Sequence, residues 1–231
     1  MTVTAFRPKQ RVRTRRSRSA SWFLGLSCLA VAAIAVVPYA TQSLQELGAD
    51  PTQIAATYVD QPLVIRVVLY THVCFAVLAV VLSPLQFSAR VRARTRRLHR
   101  AVGRVVLASI AVAGCTGLIL APFTRSGVVG AIGFGLLGVL WLTFATASFR
   151  AIRRRDIAAH RRWAVRTFAM TYAGVMLRLW LPTLPNIPVI LFGTDPTVAF
   201  DAVYPVVAWL AWVPNLLVAE RYLAATRRRP S

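Results

Sequence analysis

Residues 127–149 read GVVGAIGFGLLGVLWLTFATASF, a run without one ionisable side chain, and the chain then turns abruptly basic at Arg150, Arg153, Arg154 and Arg155. A helix needs about 20 apolar residues to cross a hydrocarbon core some 30 Å thick. The run is long enough to span, and the arginines at its end mark the cytoplasmic margin under the positive-inside rule.

Outward from this run the same alternation repeats. Apolar stretches at 22–40, 63–87, 105–122, 167–184 and 203–222 bring the expected number of spans to six. The fifth contains Arg178, and Pro205 and Pro214 interrupt the sixth. Basic residues collect at 7–18, 90–104, 150–166 and 221–229, while Arg66, Arg125 and Arg178 fall at or near the other side. Every alternate connection is therefore basic. The expectation is an all-α, polytopic transmembrane helical bundle of six spans, N-in/C-in, in a cell inner membrane.

The organisation that follows has a basic, disordered cytoplasmic tail at 1–20 and a first transmembrane helix at 21–41. That helix is read as an uncleaved signal-anchor, because its apolar run is long for a cleaved leader and lacks a small-x-small site. An exported loop follows at 42–62, with short interfacial helices expected at 44–47 and 53–58. A five-helix membrane domain occupies 63–223, and a basic cytoplasmic tail occupies 224–231.

Composition agrees. Charged residues make up 15% of 231 residues and the formal charge is +21, with Lys9 the only lysine. A soluble domain carries about a quarter charged residues. The arginine, alanine and valine bias suggests a GC-rich bacterial genome. So basic a chain suggests nucleic acid, but the arginines form short blocks between uncharged stretches, without interleaved aromatic readers, so no nucleic acid is expected. The N-terminal basic tail is instead expected to lie against anionic lipid, each basic group contributing about 1 kcal/mol near the surface. Cys28, Cys74 and Cys115 all fall in apolar stretches and imply no disulfide framework.

Ala113, Gly117 and Ala121 on the third span, and Gly127, Ala131 and Gly135 on the fourth, recur every four residues. With only a four-residue link between these spans, the stripes are expected to bring the two helix backbones close together.

Ionisable groups inside a span cost about 2.5–3.5 kcal/mol on insertion scales, so each is a functional candidate. Arg66, His72 and Arg178 define an outer polar zone. His99, His160, Asn215 and Glu220 define an inner one. Each also has a structural reading: snorkelling for Arg66 and Arg178, a bond to a neighbouring helix for His72, and an ion pair with Arg104 or Arg166 for Glu220.

The order of these residues carries a resemblance. His72, then Leu98-His99-Arg100-Ala101-Val102-Gly103-Arg104, His160-Arg161-Arg162-Trp163, Arg178, Trp212-Val213-Pro214-Asn215 and Ala219-Glu220 resemble the uncharacterised bacterial membrane family known as domain of unknown function 2306. The resemblance spans roughly 70–222. It implies a multi-span membrane fold and supplies no activity.

Function is read from the two zones. One expectation is an accessory or assembly protein, or a redox-associated one. A b-type haem would want axial His or His/Met ligands, from His99 with His160 or from His72 with Met176, with Arg66 and Arg178 at the propionates. A small-molecule transporter or receptor would use a polar cavity at His72 and Arg178, with helix six broken by proline to expose carbonyls. An intramembrane hydrolase would gather His99, His160 and Glu220 around zinc, but no close ligand pair marks a metal site. Whether the chain is an enzyme stays open at this point.

Overall fold

A computed structural model describes residues 16–227. The basic stretch before residue 16 and the last four residues lie outside the described residues, and with them most of the tail expected to meet anionic lipid. Within the described residues the first helix begins at Arg16 and the last continues to Arg227.

Among the described residues the chain is helical, without strands: α1 (Arg16–Thr41), α2 (Leu44–Gly48), a 3-10 turn (Ile54–Tyr58), α3 (Leu63–Phe87), α4 (Ala89–Arg94), α5 (Arg96–Leu120), a second 3-10 turn (Ala121–Phe123), α6 (Gly127–Arg153), α7 (Ile157–Thr171), α8 (Ala173–Thr183), α9 (Asn186–Phe192), α10 (Pro196–Leu210) and α11 (Val213–Arg227). Six helical runs are long and apolar enough to cross a membrane: Trp22–Thr41, Leu63–Phe87, Arg96–Phe123, Gly127–Arg153, Ile157–Phe192 and Pro196–Thr226. The chain is a polytopic helical membrane protein.

Four helices close a ring. α3 packs on α5, α5 on α6, α6 on α7, and α7 returns to α3, so α5 and α7 stand at opposite corners. α1 leans on the outside of α3, α11 on α7, and α10 on α6. The core holds Ala79, Ile110, Ala113, Trp141, Met170 and Ala211, with many small side chains among the large ones. Small residues suit a bundle in lipid, where close backbone packing replaces the hydrophobic drive.

The small-residue stripes do not work as expected. On α5, Ala113 and Gly117 face α3: a Cβ on Gly117 would lie 3.0 Å from His72 Cε1. The α5–α6 approach runs instead through Gly114, against Leu142, and Gly138, against Leu118 and 3.7 Å from the Gly114 carbonyl. Gly127 and Gly135 have open space where a side chain would go. A four-residue spacing identifies a smooth helix face without saying which neighbour it meets.

Proline also acts selectively. Pro205 sits inside an unbroken α10, and the break in span six comes at Ala211 and Trp212, just before Pro214. Pro214 has no N–H for the carbonyl four residues back, that of Leu210, and its ring crowds that carbonyl, so the helix opens there. Span five breaks as well, between Thr171 and Ala173, where no proline stands. There the Tyr172 carbonyl accepts from both Val175 (3.0 Å) and Met176 (3.1 Å), tightening the turn. The two breaks share one level, because Asn215 Nδ2 reaches from α11 to the Ala169 carbonyl at 3.4 Å. The inner halves α7 and α11 pack together, as do the outer halves α8 and α10.

The loop at 42–62 folds down onto the bundle. Ser43 and Glu46 form a capping box that starts α2. Asp50 then accepts from the Thr52 N–H at 2.8 Å and its hydroxyl at 2.7 Å, turning the chain into the 3-10 segment. These bonds hold the Asp50 and Glu46 carboxyls below their ordinary pKa. Leu44, Ala55 and Tyr58 bury against Leu69 of α3 and Leu120 of α5. The crossing is so close that a Cβ on Gly48 would fall 2.1 Å from Val59 Cγ2.

At the opposite end, α6 and α7 meet through a tight turn. Asp156 N–H bonds the Ala151 carbonyl and Arg155 N–H the Ile152 carbonyl, both at 3.0 Å. This is a Schellman closure whose left-handed position, normally glycine, is held by Arg155 with φ 61°. Asp156 then caps α7 by accepting the Ala159 N–H at 2.8 Å.

Candidate functional site

The inner zone is a set of closed interactions. Glu220 on α11 receives Arg166 of α7 in a two-point pair, Nε to Oε1 at 2.5 Å and Nη2 to Oε2 at 2.8 Å. Arg166, not Arg104, is therefore the partner, and its guanidinium also stacks 4.8 Å over Trp163. Asn215 is spent on the carbonyls of Ala169 and, at 2.9 Å, Ala211, which the helix break would otherwise expose. His160 Nδ1 lies 3.0 Å from the Ser148 carbonyl and 3.1 Å from its hydroxyl. An N–H on Nδ1 satisfies the carbonyl and leaves Nε2 as the free lone pair.

His99 stands on α5, across the ring from α7, within electrostatic reach of His160. Gln86 of α3 lies against it. With the amide nitrogen turned toward His99, Gln86 donates to the His99 carbonyl at 3.2 Å and to Nδ1 at 3.1 Å. All four ring helices thus contribute to the inner zone. The zinc reading gains no support, because among the described residues no three of His, Cys, Asp and Glu gather as a metal site would require.

The outer zone is built differently. His72 on α3 points into the ring, its Nδ1 2.9 Å from the Ala113 carbonyl and 3.4 Å from the Thr116 hydroxyl. As in the inner zone, an N–H on Nδ1 meets the carbonyl and Nε2 is left without a proton. Gly117 supplies the space that lets the ring lie flat against α5.

Arg178 on α8 is partly buried, and its charge acts on His72, Tyr39 and Tyr204. Tyr39 packs edge-on against Tyr70 at 5.7 Å, and Tyr58 from the 42–62 loop lies within electrostatic range of Tyr39 and Tyr204. Burial pushes the Tyr58 phenol well above its ordinary pKa. Among the described residues, neither Arg178 nor Arg66 has a carboxylate partner or hydrogen-bond acceptor for its guanidinium, and Arg66 Nε is fully buried. Only Nε of Arg66 is among the buried atoms without a partner; its terminal nitrogens are not. Met176 precedes Arg178 by two residues, and residues two apart on a helix do not share a face.

Arg125 closes this zone at its loop end, a contact that no local motif announces. It pairs with Asp201 of α10 at 2.6 Å, donates to the Pro51 carbonyl of the 42–62 loop, and stacks 5.1 Å from the Phe200 ring. One side chain therefore ties the loop to the outer end of α10. The tyrosines also escaped notice, since they come from four separate elements and each reads alone as an interfacial aromatic.

Searches of curated proteins and of solved structures each found no match. A family model described as "Predicted membrane protein (DUF2306)" matches residues 69–223, which takes in the inner zone, His72 and Arg178 but not Arg66, and all or most of five of the six spans. The chain belongs to that membrane-protein family, domain of unknown function 2306.

Proposed function

We propose that this protein is a receptor or carrier for an anionic amphiphile, whose charged head is received in the outer zone between Arg178, Arg66, His72 and the surrounding tyrosines. The observation that carries the reading is the pair of outer arginines without acceptors among the described residues. An arginine inside a span is costly, and such groups ordinarily face a partner or a substrate path. The chain pairs Arg125 and Arg166 with carboxylates. Phenol hydroxyls beside Arg178 add the donors that a carboxylate or phosphate oxygen requires.

The proposal includes a sidedness. The arginine blocks between alternate spans favour an inner-membrane orientation with both termini cytoplasmic and the outer zone facing the exported side. The five-helix unit at 63–223 then forms the working domain, with the first helix as an anchor beside it and the N-terminal basic tail on anionic lipid.

The test uses purified protein in a neutral maltoside detergent. Dodecyl phosphate is expected to raise the thermal midpoint of the native chain, dodecanol is not, and Arg178→Gln should abolish the shift. An equal shift in Arg178→Gln, or none in the native chain, overturns the reading.

A second reading, b-type haem between His99 and His160, draws on one observation: the Ser148 carbonyl orients His160 so that Nε2 is available to a metal. A Soret band that moves on dithionite reduction and is lost in His160→Ala supports it. Colourless protein after expression with haem precursor rejects it.

A further inference from the structure

Between α6 and α7, at the arginine-rich end of the bundle, lies a groove of about 580 Å³ that belongs to neither polar zone. From α6 it is lined by Leu142, Thr143, Thr146, Ala147, Arg150 and Arg154; α7 and its cap add Asp156, Ala159 and Trp163. Residues 143, 147, 150 and 154 follow steps of four, three and four, so they form one stripe along α6. Residues 156, 159 and 163 make the matching stripe of α7.

The groove is graded along its length. From Leu142 to Arg154 it runs about 18 Å along the helix axis, at 1.5 Å per residue. Its deep end is mixed, with Leu142 and Ala147 beside Thr143 and Thr146, and its mouth carries two exposed guanidinium groups without side-chain partners among the described residues. Thr143 spends its hydroxyl proton on the Val139 carbonyl at 2.7 Å, which leaves Thr146 as the open hydroxyl of a floor otherwise made by Leu142, Ala147 and the Thr143 methyl. Asp156 is the one carboxylate in the lining, and its Oδ1 is engaged by the Ala159 N–H. The mouth therefore keeps a net positive charge. Trp163, the ring size and polarity found at membrane interfaces, marks the boundary between the two ends.

We infer that this groove holds one anionic glycerophospholipid from the adjacent leaflet, its phosphate between Arg150 and Arg154 and one acyl chain along Leu142, Thr143 and Ala147. A basic mouth over an apolar floor fits that molecule end to end. A free phosphate uses only the mouth, and a neutral lipid only the floor. The site is independent of the outer-zone reading, sharing no residue with it.

Native mass spectrometry of the delipidated protein, titrated separately with palmitoyl-oleoyl phosphatidylglycerol and the matching phosphatidylcholine, tests it. One phosphatidylglycerol should be retained in preference to phosphatidylcholine, and millimolar inorganic phosphate should not displace it. Arg150→Gln with Arg154→Gln should weaken retention about tenfold or more, since each basic group contributes separately. Ala147→Trp, which fills the floor and leaves the charges, should weaken it as well. Arg161→Gln, outside the groove, should not. Equal retention of the two lipids, displacement by inorganic phosphate, or an Arg161→Gln effect as large as the double variant's overturns the assignment.

Discussion

The two polar zones of this bundle solve the same problem in opposite ways. At the inner end, Arg166 meets Glu220 at two points, Asn215 covers broken-helix carbonyls, and His160 is held by Ser148. At the outer end, His72 alone is satisfied by a neighbouring helix, while Arg66 and Arg178 carry charge into a tyrosine-rich region without acceptors among the described residues. A closed network fixes helices relative to one another. An open one stores attraction for something that arrives from elsewhere. Under the function proposed above, that contrast separates the polar groups that hold the bundle from those that receive a ligand.

The strongest way to break the comparison is to remove an arginine from each zone. Arg166→Leu should destabilise by about 1–2 kcal/mol, because Glu220 loses its pair and Trp163 its stacked cation, both partly exposed. Arg178→Leu should do the reverse, raising stability by about 1–3 kcal/mol, since an arginine within a span is costly and no bond is lost. Thermal unfolding in one detergent measures both. A loss of stability in Arg178→Leu comparable to that in Arg166→Leu would show that the outer zone is also a structural network.

His72 sharpens the contrast from within the outer zone. Gly117→Val should cost about 1–3 kcal/mol by driving the imidazole off the Ala113 carbonyl, whereas Gly135→Ala, with open space at that position, should be neutral. Denaturation midpoints of the two variants separate these outcomes.

A smaller effect is expected at the inner turn. Arg155→Gly removes a side chain from a left-handed backbone position and should stabilise by about 1 kcal/mol, read as a higher unfolding midpoint. An unchanged midpoint would mean that the arginine compensates for its own strain.

The smallest effect concerns pH. Asp50 and Glu46 are held below their ordinary pKa by bonds made only in the folded loop. Their contribution is complete above the unfolded carboxylate pKa, near 4, and is lost as pH falls through the depressed folded values. Pepsin cleavage within the 43–53 segment should therefore rise as pH falls from about 4 toward 2. Cleavage already rapid at higher pH would show that these bonds do not hold the loop.

The spans were legible because a run such as 127–149 satisfies a length and polarity rule that no soluble helix meets so cleanly. The short helices expected at 44–47 and 53–58 stand at Leu44–Gly48 and Ile54–Tyr58, the first started by the Ser43 and Glu46 capping box. What escaped was pairing. Arg125 and Asp201 are 76 positions apart, and nothing local announces that one will clamp the other. The break at Tyr172 has no proline to mark it, and Pro205, which does mark a place, leaves its helix intact. The candidate residues were readable as a set of costly groups in hydrocarbon. Which of them find partners is a property of helix rotation and neighbour order, and those are settled only when the ring closes.

The coincident breaks in spans five and six divide the molecule by height. Asn215 sits at that level, joining α11 to α7, while α8 and α10 lean on each other above it. Neither span is one continuous rod, so above the breaks contact runs sideways from α8 to α10, and through Asp201 and Arg125 to the loop at Pro51. α3, α5 and α6 pass unbroken through both levels and are the posts on which the two storeys hang.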